Sequence, residues 1–460
     1  MTLTPHEAPQ SAPAPRRVSP VRTVLLTSLG KLVRGVARMR GGSGSALPGL
    51  LVEKIDPHFM RRTLDQLPFG VVVISGTNGK TTTTKMVVEL LEGQGLTVFT
   101  NKTGSNFTRG VASALLGEVS LTGKTTADIA ILELDEAHAV HFVRAVAPKY
   151  SLLLNVMRDQ LDRFGEIDTT ANLLREIAIH TTDAVVLNRE DPRVFRLRDS
   201  LTSQRPVFFG LDESLLSLFP NDDSLRGSAP QPPVEGGTAA AGDAPATALA
   251  RPEADVTLLS IDGDSAVFEF DGKRVGTSLQ LEGVYNIYNA AAALALTRTI
   301  LGDKAQRDQL ITSLAKVAPA FGRGEKLSVN GQPLELVLVK NPSGFRLGLH
   351  SFSPEGYATM IAINDNYADG RDMSWLWDVE FDSLRPAGVA TVTGIRAYDM
   401  ALRLQYDEVA VGSVVPDLSE ALAEFIAKAP NQPKRIFCTY TAMLALRREL
   451  GKITTVEAID

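Results

Sequence analysis

Eight consecutive residues, Ser75-Gly76-Thr77-Asn78-Gly79-Lys80-Thr81-Thr82, carry the strongest chemical signal in the chain. Gly76 and Gly79 allow tight backbone turns, so amide N–H groups can converge on phosphate oxygens. Lys80 supplies a cation for the β- and γ-phosphates, and Thr81 a hydroxyl for Mg²⁺. The common form, G-x-x-x-x-G-K, wants a glycine at the position held here by Ile74, so GTNGKT is a P-loop variant. ATP binding is the expected chemistry. A Mg²⁺ ion at such a loop needs a carboxylate, usually from the end of a neighbouring strand. Residues 129–136, IAILELDE, offer Glu133, Asp135 and Glu136. Strand alternation sets Glu133 and Asp135 on one face and Glu136 on the other. Glu133 is the expected ligand, because it lies closest to the strand's carboxyl end. The plain alternative is an acidic loop after a strand.

A second carboxylate-rich stretch spans residues 365–378. Asp365, Asp369, Asp372 and Asp378 lie there with Arg371 and both tryptophans of the chain, Trp375 and Trp377. It reads either as a turn with aspartate caps and an anchoring aromatic pair, or as a partner-facing site. The residues alone do not separate Asp372 from Asp369. Cys438 is the only cysteine, which excludes an internal disulfide and a Cys-rich zinc site. Hydrolysis of glutamine within the chain would need a Cys–His pair. No histidine lies near Cys438 in sequence, so a buried structural thiol is expected.

These groups need a scaffold. GVVVIS (70–75) is a short β-branched run, and residues 80–94 carry Met86, Val87, Leu90 and Leu91 at helical spacing. Further apolar runs at 96–99, 129–134, 151–156 and 184–188 alternate with helical patterns. That alternation predicts a parallel α/β sheet covered on both faces. Residues 219–253 are low-complexity Pro, Gly and Ala, and read as a flexible insertion. Residues 255–280 read as a hairpin, 287–301 as an alanine-rich helix, and a second strand–helix series begins after about 333.

At 460 residues the chain is long enough for two or three domains. Lys+Arg is 47 and Asp+Glu 53, so the net charge is 47 − 53 = −6, which disfavours a nucleic-acid partner. Residues 1–20 are Pro- and Ala-rich and read as a disordered tail. Residues 21–40 form a basic amphipathic pattern with no acid. It fits a helix docked on the main body, or contact with an anionic membrane surface. No stretch reaches transmembrane length, so a soluble, cytoplasmic protein is expected, with contact at the inner membrane face as the finer alternative.

GTNGKTTT with Thr84 and Lys85 resembles the Mur ligase superfamily, which also includes folylpolyglutamate synthases. NVMRDQLDRFGE (155–166), LNREDP (187–192) and GVYNIYNAAA (283–292) resemble segments of those ligases. The resemblance implies that Asn289 faces the adenine and that Arg323 of FGRGE reaches the nucleotide's phosphates. With them, Gly76, Thr77, Asn78, Gly79, Lys80, Thr81 and Thr82 make the implied ATP site. The C-terminal half resembles one branch, the MurT ligases, through INDNYADGRDMSWLWD (363–378), KNPSGF (340–345), TGIRAYDMALRLQY (393–406) and TYTAML (439–444), joined by ALPGLLVEKIDP (46–57).

That branch implies amidation of the α-carboxylate of D-Glu in the stem peptide of lipid II. The ammonia would come from a glutamine amidotransferase partner, GatD. Asp372, in the GRD triplet, would complete the partner's Cys–His pair in trans. The implied architecture is Mur-ligase-like α/β. It has an N-terminal helical segment (21–66), a P-loop central domain with a parallel sheet (67–325) and a C-terminal α/β domain contacting the partner (326–460). Typical members carry a four-cysteine zinc ribbon near the place of 219–253; with one cysteine, no zinc is expected. A histidine that helps hold a second metal in the amino-acid-adding ligases is Gln160 here, which puts a second Mg²⁺ in doubt. The competing readings are an amino-acid-adding Mur or folylpolyglutamate-type ligase and a non-catalytic nucleotide-binding scaffold. Gln160 and the DNYADGRD loop weigh against the former.

Overall fold

The computed structural model describes residues 28, 31, 46–101, 108–157, 167–219, 251–280, 283–318 and 323–456. The expectations for the 1–20 tail, nearly all of the 21–40 segment, Gln160 and most of the 219–253 insertion lie outside the described residues.

Two sheets organise the chain. The first contains nine strands: β1 (Val71–Ser75), β2 (Val98–Thr100), β3 (Ile129–Glu133), β4 (Tyr150–Leu153), β5 (Ala184–Asn188), β6 (Arg205–Leu211), β7 (Val256–Asp262), β8 (Ser265–Phe270) and β9 (Lys273–Ser278). Their order is β2-β3-β1-β4-β5-β6-β7-β8-β9. Pairing is parallel from β2 through β7, and β8 and β9 add antiparallel strands at one edge. The second sheet contains β10 (Arg323–Val329), β11 (Gln332–Leu338), β12 (Ala358–Ala362), β13 (Val389–Thr393), β14 (Val411–Val415) and β15 (Lys434–Cys438). Its order is β10-β11-β15-β12-β13-β14, and only β10 runs antiparallel to its neighbour.

β1 explains itself from its sequence. All five residues of VVVIS are buried, as a central parallel strand covered on both faces demands. Val72 and Ile74 join the core on one face, Val71 and Val73 that on the other. Helices α1 (Ala46–Ile55), α2 (Phe59–Leu64), α4 (Thr108–Glu118), α5 (Glu136–Ala145) and α6 (Ile167–His180) pack on the Val71–Val73 face. The opposite face is covered by α3 (Lys80–Gly93), α8 (Val284–Leu301) and α9 (Arg307–Leu314). In α8 the run Ala290–Ala293 and Ala295 is buried. Small side chains there let the helix sit close against α3 and the sheet, and this carries Tyr285, Asn286 and Asn289 toward the phosphate-binding loop.

The expected hairpin at 255–280 is a three-stranded unit. A second turn, Asp271-Gly272, has positive φ at both residues (52° and 66°), the requirement of a two-residue hairpin turn. The Asp-Gly pair was the readable signal for it. β6 also had no counterpart among the expected strands. The order β2-β3-β1-β4 sets the carboxyl ends of β1, β3 and β4 side by side. The chain leaves β1 for one side and crosses from β3 to the other, the arrangement that opens a ligand crevice in α/β sheets.

Candidate active site

The loop after β1 turns through Gly76 (φ 133°) and Gly79 (φ 89°), the latter capping the amino end of α3. Gly79 is required twice over. Its backbone is left-handed, and a Cβ would stand 2.7 Å from Asn289 Nδ2. Asn289 therefore packs directly against the loop. Lys80 is buried, and its Nζ donates to Gly76 O (2.7 Å) and Thr77 O (3.4 Å).

The carboxylates after β3 meet this loop. Thr81 Oγ1 donates to Glu133 Oε1 at 2.7 Å. Lys80 Nζ lies 3.4 Å from Asp135 and 3.7 Å from Glu136. The expected one-face pairing of Glu133 and Asp135 does not hold, because β3 ends at Glu133 and Asp135 is already the residue before α5. Asn101, at the end of β2, brackets the backbone of Glu133: its Nδ2 donates to Glu133 O (2.8 Å), and its Oδ1 accepts from Glu133 N (2.9 Å). A hydroxyl and a carboxylate side by side at the mouth of the loop are hard oxygen donors of the kind Mg²⁺ takes, with phosphates and water completing its shell. Among the described residues no three His, Cys, Asp or Glu side chains cluster into an all-protein metal cage.

The loop after β4 braces the phosphate loop from the other side. Asn155 accepts from Asn78 N through Oδ1 (2.8 Å) and donates from Nδ2 to Asn78 O (2.9 Å), while Thr77 N donates to Asn155 O (3.0 Å). Thr77 Oγ1 accepts from Met157 N at 3.0 Å. Between these residues, Val156 N donates to Asp191 Oδ2 at 2.7 Å. Asp191 also caps α7 (Pro192–Arg196) by accepting from Arg193 N and Val194 N.

Burial pushes the Asp191 carboxyl up to about 6, against the downward pull of those three N–H groups and of Arg193. A group whose pKa is raised by folding contributes stability that is full below its unfolded value and is lost as pH rises through the folded value. Asp191→Asn should therefore gain stability relative to the unsubstituted chain between about pH 4 and 7, by roughly 3 kcal/mol at most. Denaturant unfolding at both pH values reads this directly, and a difference that does not change with pH counts against it.

Across the cleft, Asn341 caps α10 (Pro342–Ser351) by accepting from Gly344 N, and its side-chain amide pairs with that of Asn78 at 3.3 and 3.5 Å. A cavity of about 130 Å³ opens here, lined by Gly79, Asn155, Tyr285, Asn286, Asn289 and Lys340 among others. β10 begins at Arg323, whose backbone pairs with Val337 on the cavity wall. The side chain of Arg323 lies outside the described residues.

Asp372 belongs to the second sheet, on the loop after β12, and is half-buried. It accepts from Ser374 N at 2.9 Å. The Ser374 hydroxyl and N–H hold its carboxyl below the ordinary aspartate range, so it is ionised at neutral pH. Met373 and Trp375 beside it are buried. On the adjoining helix α11 (Ala397–Tyr406), Tyr398, Leu402 and Tyr406 recur every fourth residue and are exposed. Trp377 rests edge-on against Tyr406 at 5.1 Å, and Arg396 reaches Asp365 at 3.5 Å. With Tyr367 and Ile395, six of the ten exposed large apolar side chains among the described residues gather here. Contiguous exposed apolar patches are a common feature of interaction surfaces. Cys438 is buried at the end of β15, and burial pushes its thiol far up, away from the thiolate a nucleophile needs.

The structure thus gathers Gly76 to Thr82, Glu133 and Asn289 into one site and sets Asp372 in another. Asn101, Asn155, Asn341 and Lys340 join the site without a motif that marks them in the sequence. A polar residue directly after an apolar strand run, as in VFTN and LLLN, was the available signal.

Comparisons with known proteins fit this geometry. Residues 74–231 match the family model described as Mur ligase middle domain, and residues 338–443 the one described as MurT ligase C-terminal. A pseudomurein peptide ligase type C from Methanothermus fervidus shares the fold (TM-score 0.63, 18% identity, 86% of this chain and 81% of that one). So does the MurF ligase from Thermotoga maritima solved with ADP (TM-score 0.63, 18% identity, 85% and 83%). The lipid II isoglutaminyl synthase (glutamine-hydrolyzing) subunit MurT of Staphylococcus aureus is 29% identical over 92% of this chain and 97% of its own. That of Streptococcus pneumoniae is 31% identical over 90% of this chain and 93% of its own, and with that likeness running through both sheets the protein belongs to the MurT family of Mur-type ligases.

Proposed function

We propose that this chain is the synthetase subunit of a lipid II isoglutaminyl synthase. It would use ATP to amidate the α-carboxylate of D-Glu in the stem peptide of lipid II, giving D-isoglutamine. What carries the reading is the match of residues 338–443 to the MurT C-terminal model, because that stretch contains the whole 365–378 loop. The division of labour would follow the sheets, with residues 67–325 binding ATP and 326–460 meeting a GatD-type glutamine amidotransferase.

A carboxylate does not react with ammonia unaided, because its oxygen is a poor leaving group. Its oxygen attacks the γ-phosphorus of ATP and ADP departs, leaving an acyl phosphate. The ammonia lone pair then attacks the carbonyl carbon, the C–O bond to phosphate breaks, and a proton is lost from nitrogen. The chain's task is positioning and charge neutralisation. Amide groups of Gly76 to Thr82 cradle the phosphates, and Lys80 and Arg323 oppose their charge. Asn289 orients the base. Thr81 and Glu133 would hold Mg²⁺, which supplies further neutralisation of the phosphates.

Free ammonia is scarce at neutral pH, so a glutaminase partner is chemically sensible. Asp372 would accept from the partner's histidine N–H, fixing its tautomer and stabilising the imidazolium. The apolar patch of Trp377, Tyr398, Leu402 and Tyr406 would seat that partner. No helix among the described residues is long and apolar enough to cross a membrane. Work at the cytoplasmic face, with residues 21–40 touching the bilayer that carries lipid II, completes the proposal.

ATP-dependent amidation of lipid II is the test, with glutamine or ammonium chloride, with and without the partner. Ammonium should support amidation by this chain alone, and glutamine only with the partner. ATP consumption that depends on a supplied amino acid would make it an amino-acid-adding ligase. ATP binding without turnover under any of these conditions would make it a scaffold.

A further inference from the structure

The amino end of α13 (Tyr440–Leu450) lacks a cap of its own. Thr439 holds the capping position but makes no side-chain bond to the helix. Its hydroxyl is engaged instead with Asn364, accepting from the backbone N at 2.9 Å and donating to the backbone O at 3.3 Å. The missing cap arrives from 72 residues away. Thr441 N, the second N–H of the helix, donates to Asp369 Oδ1 at 2.7 Å, and Thr441 Oγ1 donates to Asp369 Oδ2. This is the bond that a capping side chain makes to its own helix.

The Thr441 hydroxyl also accepts from Asn366 Nδ2 (2.8 Å) and Asn364 Nδ2 (3.2 Å), so its one donor and two acceptor sites are all used. Asn366 N donates to Asp369 Oδ2 at 3.1 Å, closing the network on the loop itself. Asp369 is buried although it carries a carboxyl and sits in a loop, and burial pushes that carboxyl up from the ordinary aspartate range. Gly370 follows with φ 84°, and the buried Met373 and Trp375 anchor the far side. Asp372 is therefore presented between two fixed points, the Asp369 bond to α13 and the Met373–Trp375 anchor.

We propose that Asp369 is a positioning residue: by capping α13 from the loop, it sets where Asp372 stands when the amidotransferase docks. The role given to Asp372 rests on the function proposed above; the tether itself does not. Misplacing a catalytic group by about 1 Å can cost about 10²-fold. In the assembled complex, Asp369→Ala should lower glutamine-driven amidation by about 10- to 100-fold and leave the ammonium-driven rate within about twofold.

Asp369→Asn keeps an acceptor for Thr441 N and should recover most of the loss. Thr441→Val removes the hydroxyl but not the N–H, and should fall between. Hydrogen exchange on the same proteins should show lost protection at the Thr441 amide and across 365–372 in Asp369→Ala. Parallel loss of both rates, an unchanged glutamine rate, or a Thr441 amide that stays protected would overturn the proposal. If the unsubstituted complex amidates with neither nitrogen source, the proposed function fails, and the exchange data alone decide the tether.

Discussion

Lys80→Met should lower ATP-dependent turnover by about 10²- to 10³-fold, the usual cost of removing one preorganised group that opposes developing charge. The ammonium-driven reaction is the one to measure, because it needs no partner. Lys80 is buried among Gly76 O, Thr77 O, Asp135 and Glu136, with Nζ within 3.7 Å of each. Its cation balances two carboxylates in this structure and is within the loop that phosphates would enter. Methionine keeps much of the stem's volume and removes the charge together with the N–H groups that reach Gly76 O and Thr77 O.

A second effect follows from the same contacts. Glu136 is buried, and the variant takes away its ion pair with Lys80. Breaking a buried pair by removing one partner costs about 3 kcal/mol or more, so the thermal midpoint should fall as well. Circular dichroism at the assay temperature separates the two effects. Full turnover in a folded Lys80→Met chain would refute the P-loop reading.

Asp372→Asn should separate the two nitrogen sources. Glutamine-driven amidation should drop by about 10²- to 10⁴-fold, as when the carboxylate of a catalytic triad is neutralised. Ammonium-driven amidation should stay within about twofold, since the residue lies on the second sheet and not at the phosphate loop. Asparagine Oδ1 can still accept from Ser374 N, so the local turn survives and the loss is electrostatic. Because the Ser374 bonds hold Asp372 ionised, the unsubstituted enzyme should keep its glutamine activity on the acid side until its other groups fail. Equal loss with both nitrogen sources would place Asp372 in the ligase reaction and not in the partner's.

The phosphate loop was legible because its signal is local. Four buried apolar residues, two glycines at set spacing and a Lys-Thr pair need no knowledge of distant chain. Glu133 was legible for the same reason, since the strand ends on it. What decided the rest was long-range. Asn101 and Asn155 act only because β2 and β4 flank the strands that carry Glu133 and the phosphate loop, and strand order is not written in any one segment. Asn341 touches Asn78 across 263 residues of sequence. Asp369 and Asp372 looked alike in sequence. They differ because one is buried against the end of a helix formed 72 residues later. The third strand at 273–278 is signalled only by the Asp271-Gly272 pair, since the run before it already satisfies a hairpin.

The solitary thiol has a practical consequence. Cys438 lies in β15, held between β11 and β12 in the middle of the second sheet, with its Sγ 3.8 Å from Val337 O. Alkylating reagents need an exposed thiolate, so they should pass over the native chain. Iodoacetamide can then silence a cysteine nucleophile in a bound amidotransferase without touching the ligase. Labelling of Cys438 itself then reports opening of the second sheet, with no engineered reporter.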